Sequence, residues 1–107
     1  MNLFDDIPLN VNEEEFKDLL NKPGIRIERI VSSGQISEPD FWYEQQEDEW
    51  VILFQGEAII EYADGTKDEL AKGDYAYIPA MKKHRVAYTS TYPICIWLAV
   101  FFGERNV

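Results

Sequence analysis

One histidine stands in the whole chain, His84, and it opens an alternating stretch, His84 to Thr89, just after Ile78-Pro79-Ala80-Met81-Lys82-Lys83. Upstream, Glu47-Asp48-Glu49 opens another stretch, which ends at Gln55-Gly56. A carboxylate and an imidazole, each at the beginning of a strand, can meet at the mouth of a β-barrel. Such a pair can hold a divalent metal, or work as general acid and base. Glu49 and His84 are therefore the candidate catalytic residues and the candidate metal ligands. The structural alternatives are a partly buried His84 bonded to Glu49, and a solvated Glu49 at a strand end. The one cysteine, Cys95, lies in the apolar run Ile94-Cys95-Ile96-Trp97. A buried, inert thiol fits that setting better than a nucleophile. One thiol makes neither an internal disulfide nor a cysteine zinc site.

The elements that must position these residues are mostly strands. Trp50 to Gln55, Ala58 to Tyr62, Tyr75 to Ile78, His84 to Thr89 and Ile94 to Phe102 read as strands, separated by turns at Gly56, Asp64-Gly65, Lys72-Gly73-Asp74 and Pro79. Ile25, Ile27 and Val31 alternate with charged residues, as on a half-buried strand. No helix separates successive strands, so a parallel α/β fold is excluded. The start of the chain reads differently. Asn12 is a good N-cap with Glu15 three residues later, Phe16, Leu19 and Leu20 follow at helical spacing, and Pro23-Gly24 stops the segment. This pattern predicts a short amphipathic helix from Glu13 to Asn21. The strands from Glu49 to Gln55 and from Ile94 to Phe102 are apolar on both alternating faces. A strand with water on one side alternates apolar and polar, so both faces of these two need a cover. A second copy of the chain is the natural one, and a homodimer is expected.

Composition bounds the rest. The chain has 107 residues, 46% of them apolar, which is the size and make-up of one domain with a real core. Twenty acids against 10 bases leave a net charge of −10. An acidic chain whose bases form no stripe repels phosphate backbones and anionic membranes, so neither nucleic acid nor a membrane is expected as a partner. The first residues lack the basic start and apolar stretch of a signal peptide, and the longest apolar run is too short to span a bilayer. A cytoplasmic location is the expectation.

Two segments carry a family resemblance. Glu49-Trp50-Val51-Ile52-Leu53-Phe54-Gln55-Gly56 resembles the second half of the first cupin motif, a Glu with six residues before a Gly. Gly73-Asp74-Tyr75-Ala76-Tyr77-Ile78-Pro79, followed by His84, resembles the second motif, a Gly with five residues before a Pro and then a His. The resemblance covers roughly Glu38 to Phe102. It implies an antiparallel jelly-roll β-barrel, often dimerised through one sheet. It also implies that the Glu and the His point into the barrel and share a divalent metal with a His-x-His pair. Here the positions of that pair hold Tyr43 and Gln45, a phenol and an amide. The turn glycine before the motif-two His is Met81, and the Asn expected after that His is Tyr88.

The expectations are then definite. The fold is all-β, an antiparallel jelly-roll barrel over residues 25–107, with residues 1–24 an N-terminal helical extension packed on it. Val51, Leu53, Tyr62, Val86 and Tyr88 point inward. The pocket is lined by Tyr43, Gln45, Val51 and Tyr88. Glu49 and His84 are its good metal donors, Gln45 and Tyr43 doubtful ones, so any divalent metal is weakly bound or absent. The expected function is binding of a small molecule without catalysis. The alternative is a metal-dependent cupin enzyme, a dioxygenase, isomerase or decarboxylase, working through Glu49 and His84. Glu44, Glu47 and Asp48 read as a solvated acidic loop. Lys82, Lys83 and Arg85 read as surface charge, with recognition of an anionic ligand as the competing role. Tyr43, Tyr75, Tyr77, Tyr88, Trp42 and Trp97 divide between core, interface and cavity wall.

Overall fold

In the computed structural model, residues 1–8 and 12–103 are described, and they form eight strands and no helix. The strands are β1 (Glu15–Lys22), β2 (Ile25–Ser32), β3 (Asp48–Gln55), β4 (Ala58–Tyr62), β5 (Lys67–Leu70), β6 (Tyr75–Ile78), β7 (His84–Thr89) and β8 (Cys95–Phe102). Every pairing of these strands is antiparallel. One sheet has the order β1-β2-β8-β3-β6 and the other β5-β4-β7. Their facing sides enclose the core, which includes Val51, Leu53, Ile60, Tyr62, Ile78 and Trp97. The expected antiparallel jelly-roll architecture takes the form of two sheets packed face to face, and no ladder joins their edges among the described residues. The chain passes from β3 to β4 through Gly56, whose φ is +93°. A Cβ there would stand 2.8 Å from Cys95 Sγ and 2.9 Å from Ser90 Oγ, so the corner is tight as well as left-handed.

The predicted helix over Glu13 to Asn21 is also corrected. That segment is β1, paired with β2 from Glu15 opposite Val31 to Lys22 opposite Ile25. Pro23-Gly24, read as a helix stop, is a hairpin turn with Gly24 at φ +86°, the arrangement a type II turn asks of Pro followed by Gly. A short isolated helix is marginal in water, whereas the free edge of β2 offers a backbone partner along the whole segment. A register shift between Asp18 and Leu20 puts Phe16 and Leu20 on opposite faces and erases the strict alternation that marks a strand. In place of capping a helix, Glu15 accepts a bond from Arg29 Nη2 at 2.7 Å. Strand β5, which the sequence pattern does not predict, is short and charged. Of its side chains only Leu70 is buried, while Asp68 accepts from the Tyr62 hydroxyl at 2.6 Å.

Residues 1–8 lie against the outer face of the five-stranded sheet. Phe4 meets Phe54 edge to face, with ring centroids 6.1 Å apart. Arg29, 1% exposed, ties this segment down. Its Nη1 donates to the carbonyls of Leu3 at 3.0 Å and Asp5 at 2.6 Å, beside the Glu15 bond. Hydrogen bonds from a buried charged group contribute about 1.5–3 kcal/mol each. Glu15 can rehydrate when its partner is removed, because its side chain is 37% exposed. Arg29→Ala is therefore expected to lower unfolding free energy by about 2–4 kcal/mol in a urea titration, with Glu15→Gln costing under about 1 kcal/mol. Equal losses in the two variants would mean that the ion pair, and not the anchoring of the N-terminal segment, carries the effect.

Candidate functional site

Between the two sheets lies a cavity of about 210 Å³. Val51, Ile60, Ile78, Val86, Trp97 and Phe101 supply its apolar wall, and Glu49, His84, Gln45, Tyr43 and Glu28 are among its polar lining. Glu49 faces inward because it shares a face with Val51 and Leu53 on β3, opposite Phe101 on one side and Ile78 on the other. His84 opens β7 opposite Tyr62. Tyr43 is held by a two-way bridge to His84, its N–H donating to His84 O at 2.7 Å and its carbonyl accepting from His84 N–H at 3.0 Å. Met81 N–H donates to Gln45 O at 2.7 Å. The segment carrying Tyr43 and Gln45 is thereby fastened to the turn before His84. Met81, which stands where the family motif has glycine, takes φ +67°, a backbone state that costs a non-glycine residue on the order of 1 kcal/mol or more.

The side chains of the pair meet at the cavity wall. His84 Nε2 lies 3.7 Å from Glu49 Oε1, and both side chains are nearly buried. His84 Nδ1 lies 2.9 Å from Lys82 O. A carbonyl only accepts, so Nδ1 carries the hydrogen and a neutral ring keeps its lone pair on Nε2, toward Glu49. A carboxylate facing that lone pair is relieved by one proton between the two groups. Gln45 Nε2 donates to Glu49 Oε1 at 3.2 Å. Burial pushes the Glu49 carboxyl above the usual range; His84 and the Gln45 bond pull it back, Glu28 pushes it further up and Arg26 pulls it down.

Not every expected residue arrives at this site. Val51 and Gln45 do, and Tyr43 reaches the rim, half exposed, with its ring 4.8 Å from Phe41 and 5.9 Å from the His84 ring. Tyr88 does not, and its placement in the pocket is corrected. A register shift in the β4–β7 ladder pairs Ile60 with Val86 but Ile59 with Tyr88, so two residues after an inward Val86 the chain faces out. Tyr88 is 44% exposed and Val86 is only partly buried. Glu28, unmarked as a site residue by the sequence pattern, joins the cavity from β2. Opposite Ala99 of β8, it shares the inner face with Ile30, and its inward neighbour Arg26 stacks on Phe101 at 4.2 Å. Ile25, Ile27 and Val31 take the outer face instead. Burial raises the Glu28 carboxyl, with Arg26, 3.1 Å away, pulling it down.

Charged groups outside the cavity are mostly engaged with each other. Arg85 pairs with Glu61 at 3.0 Å and donates to Ser37 O. Lys82 Nζ sits 4.3 Å over the Tyr62 ring. Asp48 accepts from the Tyr77 hydroxyl and from Ala80 N–H, both at 2.9 Å. Cys95 is buried, its thiol donating to Glu57 O at 3.2 Å. No group of three or more His, Cys, Asp or Glu side chains placed to hold a metal occurs among the described residues. Glu49 and His84 supply two good donors, and Gln45 turns an N–H toward Glu49, so this donor set does not fit a tightly held transition metal.

Because the folded state raises the Glu49 carboxyl above its unfolded value near 4.5, the native chain holds that proton more tightly than the unfolded chain. Stability then falls as pH rises from the unfolded value through the folded one, and the cost is complete above both. Glu49→Gln is expected to raise the thermal midpoint at pH 7, and the gap from wild type should close below the unfolded value. A variant less stable than wild type at pH 7 would show that attraction to His84 outweighs burial.

A family model described as "Cupin domain" matches residues 28–101. A crystal structure of a provisionally named mannose-6-phosphate isomerase from Ralstonia eutropha JMP134 is 42% identical, covers 97% of each chain and superposes with a TM-score of 0.91. A cupin superfamily protein from Desulfitobacterium hafniense DCB-2 is 21% identical, covering 92% of this chain and 84% of its own, with a TM-score of 0.77. The protein TT1209 from Thermus thermophilus is 16% identical, covering 95% and 94%, with a TM-score of 0.78. The last two likenesses speak for the fold alone. No curated protein sequence matches this chain.

Proposed function

Since this chain belongs to the cupin family, we propose that it is a jelly-roll module that binds a small molecule in the cavity between its sheets. The observation that carries this is the make-up of the cavity. A mostly apolar chamber of about 210 Å³ ends on a few converging polar groups, Glu49, His84 and Gln45, with Tyr43 at the rim. Small-molecule sites have this composition, an apolar body with few orienting polar groups. A divalent metal, where one binds, is held weakly by Glu49 and His84.

The second reading is an enzyme, and the Glu49–His84 pair is what favours it. One proton between a buried carboxyl and an imidazole is the raw material of acid–base catalysis, the kind an isomerase needs. The name of the 42% identical neighbour points to a sugar phosphate as substrate. The cavity gives that substrate little to hold, because no lysine or arginine is among its described lining residues. The binding module therefore stands first.

The two readings part on metal. In untagged protein, the expected result is no stoichiometric metal after chelator treatment. The thermal midpoint should be unchanged by chelation, in wild type and in His84→Ala alike. A metal that survives chelation, or a midpoint that drops when it is removed, moves the enzyme ahead.

We place the protein in the cytoplasm, where the unpaired thiol of Cys95 stays reduced. No helix among the described residues is long and apolar enough to cross a membrane. We also propose a homodimer. Trp50, Ile52, Leu98 and Val100 remain only half-buried on the outer face of the five-stranded sheet, with Tyr75 and Tyr77 exposed beside them. The rings of Trp50 and Tyr75 already meet at 5.5 Å, and residues 1–8 reach the neighbouring Phe54. Such a contiguous apolar face on an antiparallel sheet suits a twofold copy of itself. Light scattering at micromolar concentration should give twice the chain mass, and Leu98→Glu should halve it. A wild-type monomer ends this proposal.

A further inference from the structure

The carboxylates that line the cavity are already engaged. Ser32 Oγ donates to Glu14 at 2.7 Å, Arg26 lies 3.1 Å from Glu28, and Gln45 donates to Glu49 at 3.2 Å. His84 Nδ1 is taken by Lys82 O, and Ser37 Oγ by the Val86 N–H. No lysine or arginine is among the described lining residues. A charged ligand would lose its water there without gaining an uncommitted counter-charge, at a greater cost than a neutral one of the same size. What the lining offers is apolar surface, and that surface is long. Across the five-stranded sheet, Glu49 stands opposite Phe101, and Phe101 opposite Arg26. Four residues farther along the same strands, Leu53 stands opposite Trp97, Trp97 opposite Ile30, and Ile30 opposite Phe16. Glu49 and Phe16 are thus separated by about 13 Å along the strands and about 14 Å across them. Glu49, Trp97, Ile30 and Phe16 all line the cavity, so it runs diagonally under the sheet, from a polar end at Glu49 to an apolar end at the β1 edge. The apolar end reaches solvent. Phe16 is 59% exposed, and Ile36, from the segment hydrogen-bonded to β7 at Val86, is 54% exposed.

We propose that the cavity takes an elongated, uncharged ligand with a hydroxyl at one end of a hydrocarbon chain, the class of the medium-chain aliphatic alcohols. The hydroxyl lies at the Glu49–Gln45 end. The chain follows Val51 and Ile30 and leaves over Phe16 and Ile36, which cover its last carbons. This inference rests on the cavity being a ligand site and adds the ligand's shape and class.

A series in chain length and charge tests it. The probes are 1-butanol, 1-hexanol and 1-octanol, with hexanoate and hexylammonium beside them. Binding is followed by the methyl resonances of Ile30, Val51 and Ile60 in full-length methyl-labelled protein. Those of Ile52, Leu98 and Val100, on the outer face of the larger sheet, report association elsewhere. Affinity is expected to rise about threefold per added methylene, through to octanol. Both ions should bind about tenfold more weakly than hexanol, or worse. Phe16→Ser, on an exposed edge strand, should remove most of the gain from hexanol to octanol and leave butanol as it is, and Ile36→Ser should do the same from the other side. Equal affinity for butanol and octanol, an ion that matches hexanol, or full octanol affinity in both variants overturns the aliphatic proposal while the small-molecule site stands. If only the outer-face methyls move, or none moves at millimolar octanol, both are overturned.

Discussion

Strand β8 is apolar on both faces, and the rest of the molecule is arranged around it. Cys95, Trp97, Ala99 and Phe101 turn toward the smaller sheet and complete the core. Ile96, Leu98 and Val100 turn the other way. β8 takes the centre of the five-stranded sheet, between β2 and β3, where its backbone finds a ladder on either side. Its inner row sets the register that makes Glu49 an inward residue, opposite Phe101, and Glu28 an inward residue, opposite Ala99. The outer row explains why residues 1–8 are drawn onto the sheet and why Arg29 is buried there as a staple. Site and strap are two consequences of one apolar strand.

That arrangement puts ionisable groups where water is scarce. Glu49 sits within an apolar wall, where the Gln45 amide donates to it. His84 is oriented by Lys82 O and so presents its second nitrogen to Glu49. The two side chains come from different sheets, so their 3.7 Å separation is set by how the sheets pack. Truncating either partner leaves the other as a buried ionisable group with less to answer it. The pair is a chemical resource held at a cost to stability, and the cost is borne by the packing of the two sheets.

Much of this is legible in the residues, and the failures have physical causes. Glu49 and His84 stand out because strand alternation from each runs into the core over the next few residues. The strands from β3 to β8 are legible for the same reason, except β5, whose charged edge carries no apolar alternation. The misreadings cluster at register shifts. Counting two from Val86 points Tyr88 inward, and a shift in the β4–β7 ladder turns it out. In β1 a shift near Leu19 makes an edge strand imitate a helix. In β2 the alternation is real, but its inward side is not decided by hydropathy. The isoleucines at 25 and 27 and Val31 lie on the outer face with Arg29, while Arg26 and Glu28 face the cavity mouth, each neutralising part of the other. Nothing in a single sequence marks a salt bridge as the inward face.

The two positions where the family motif carries imidazoles hold Tyr43 and Gln45 here. Had Tyr43 and Gln45 simply failed as ligands, the mouth of the cavity should be a loose remnant. Instead the substitutes are engaged. Gln45 donates to Glu49 and accepts, through its backbone carbonyl, from Met81; Tyr43 clamps the backbone of His84 and meets Phe41 edge to face at the rim. The strained backbone of Met81 is kept by that same bond to Gln45. With neutral groups at those two positions, Glu28 is answered by Arg26 at 3.1 Å, and Glu49 by the Gln45 amide beside the His84 ring.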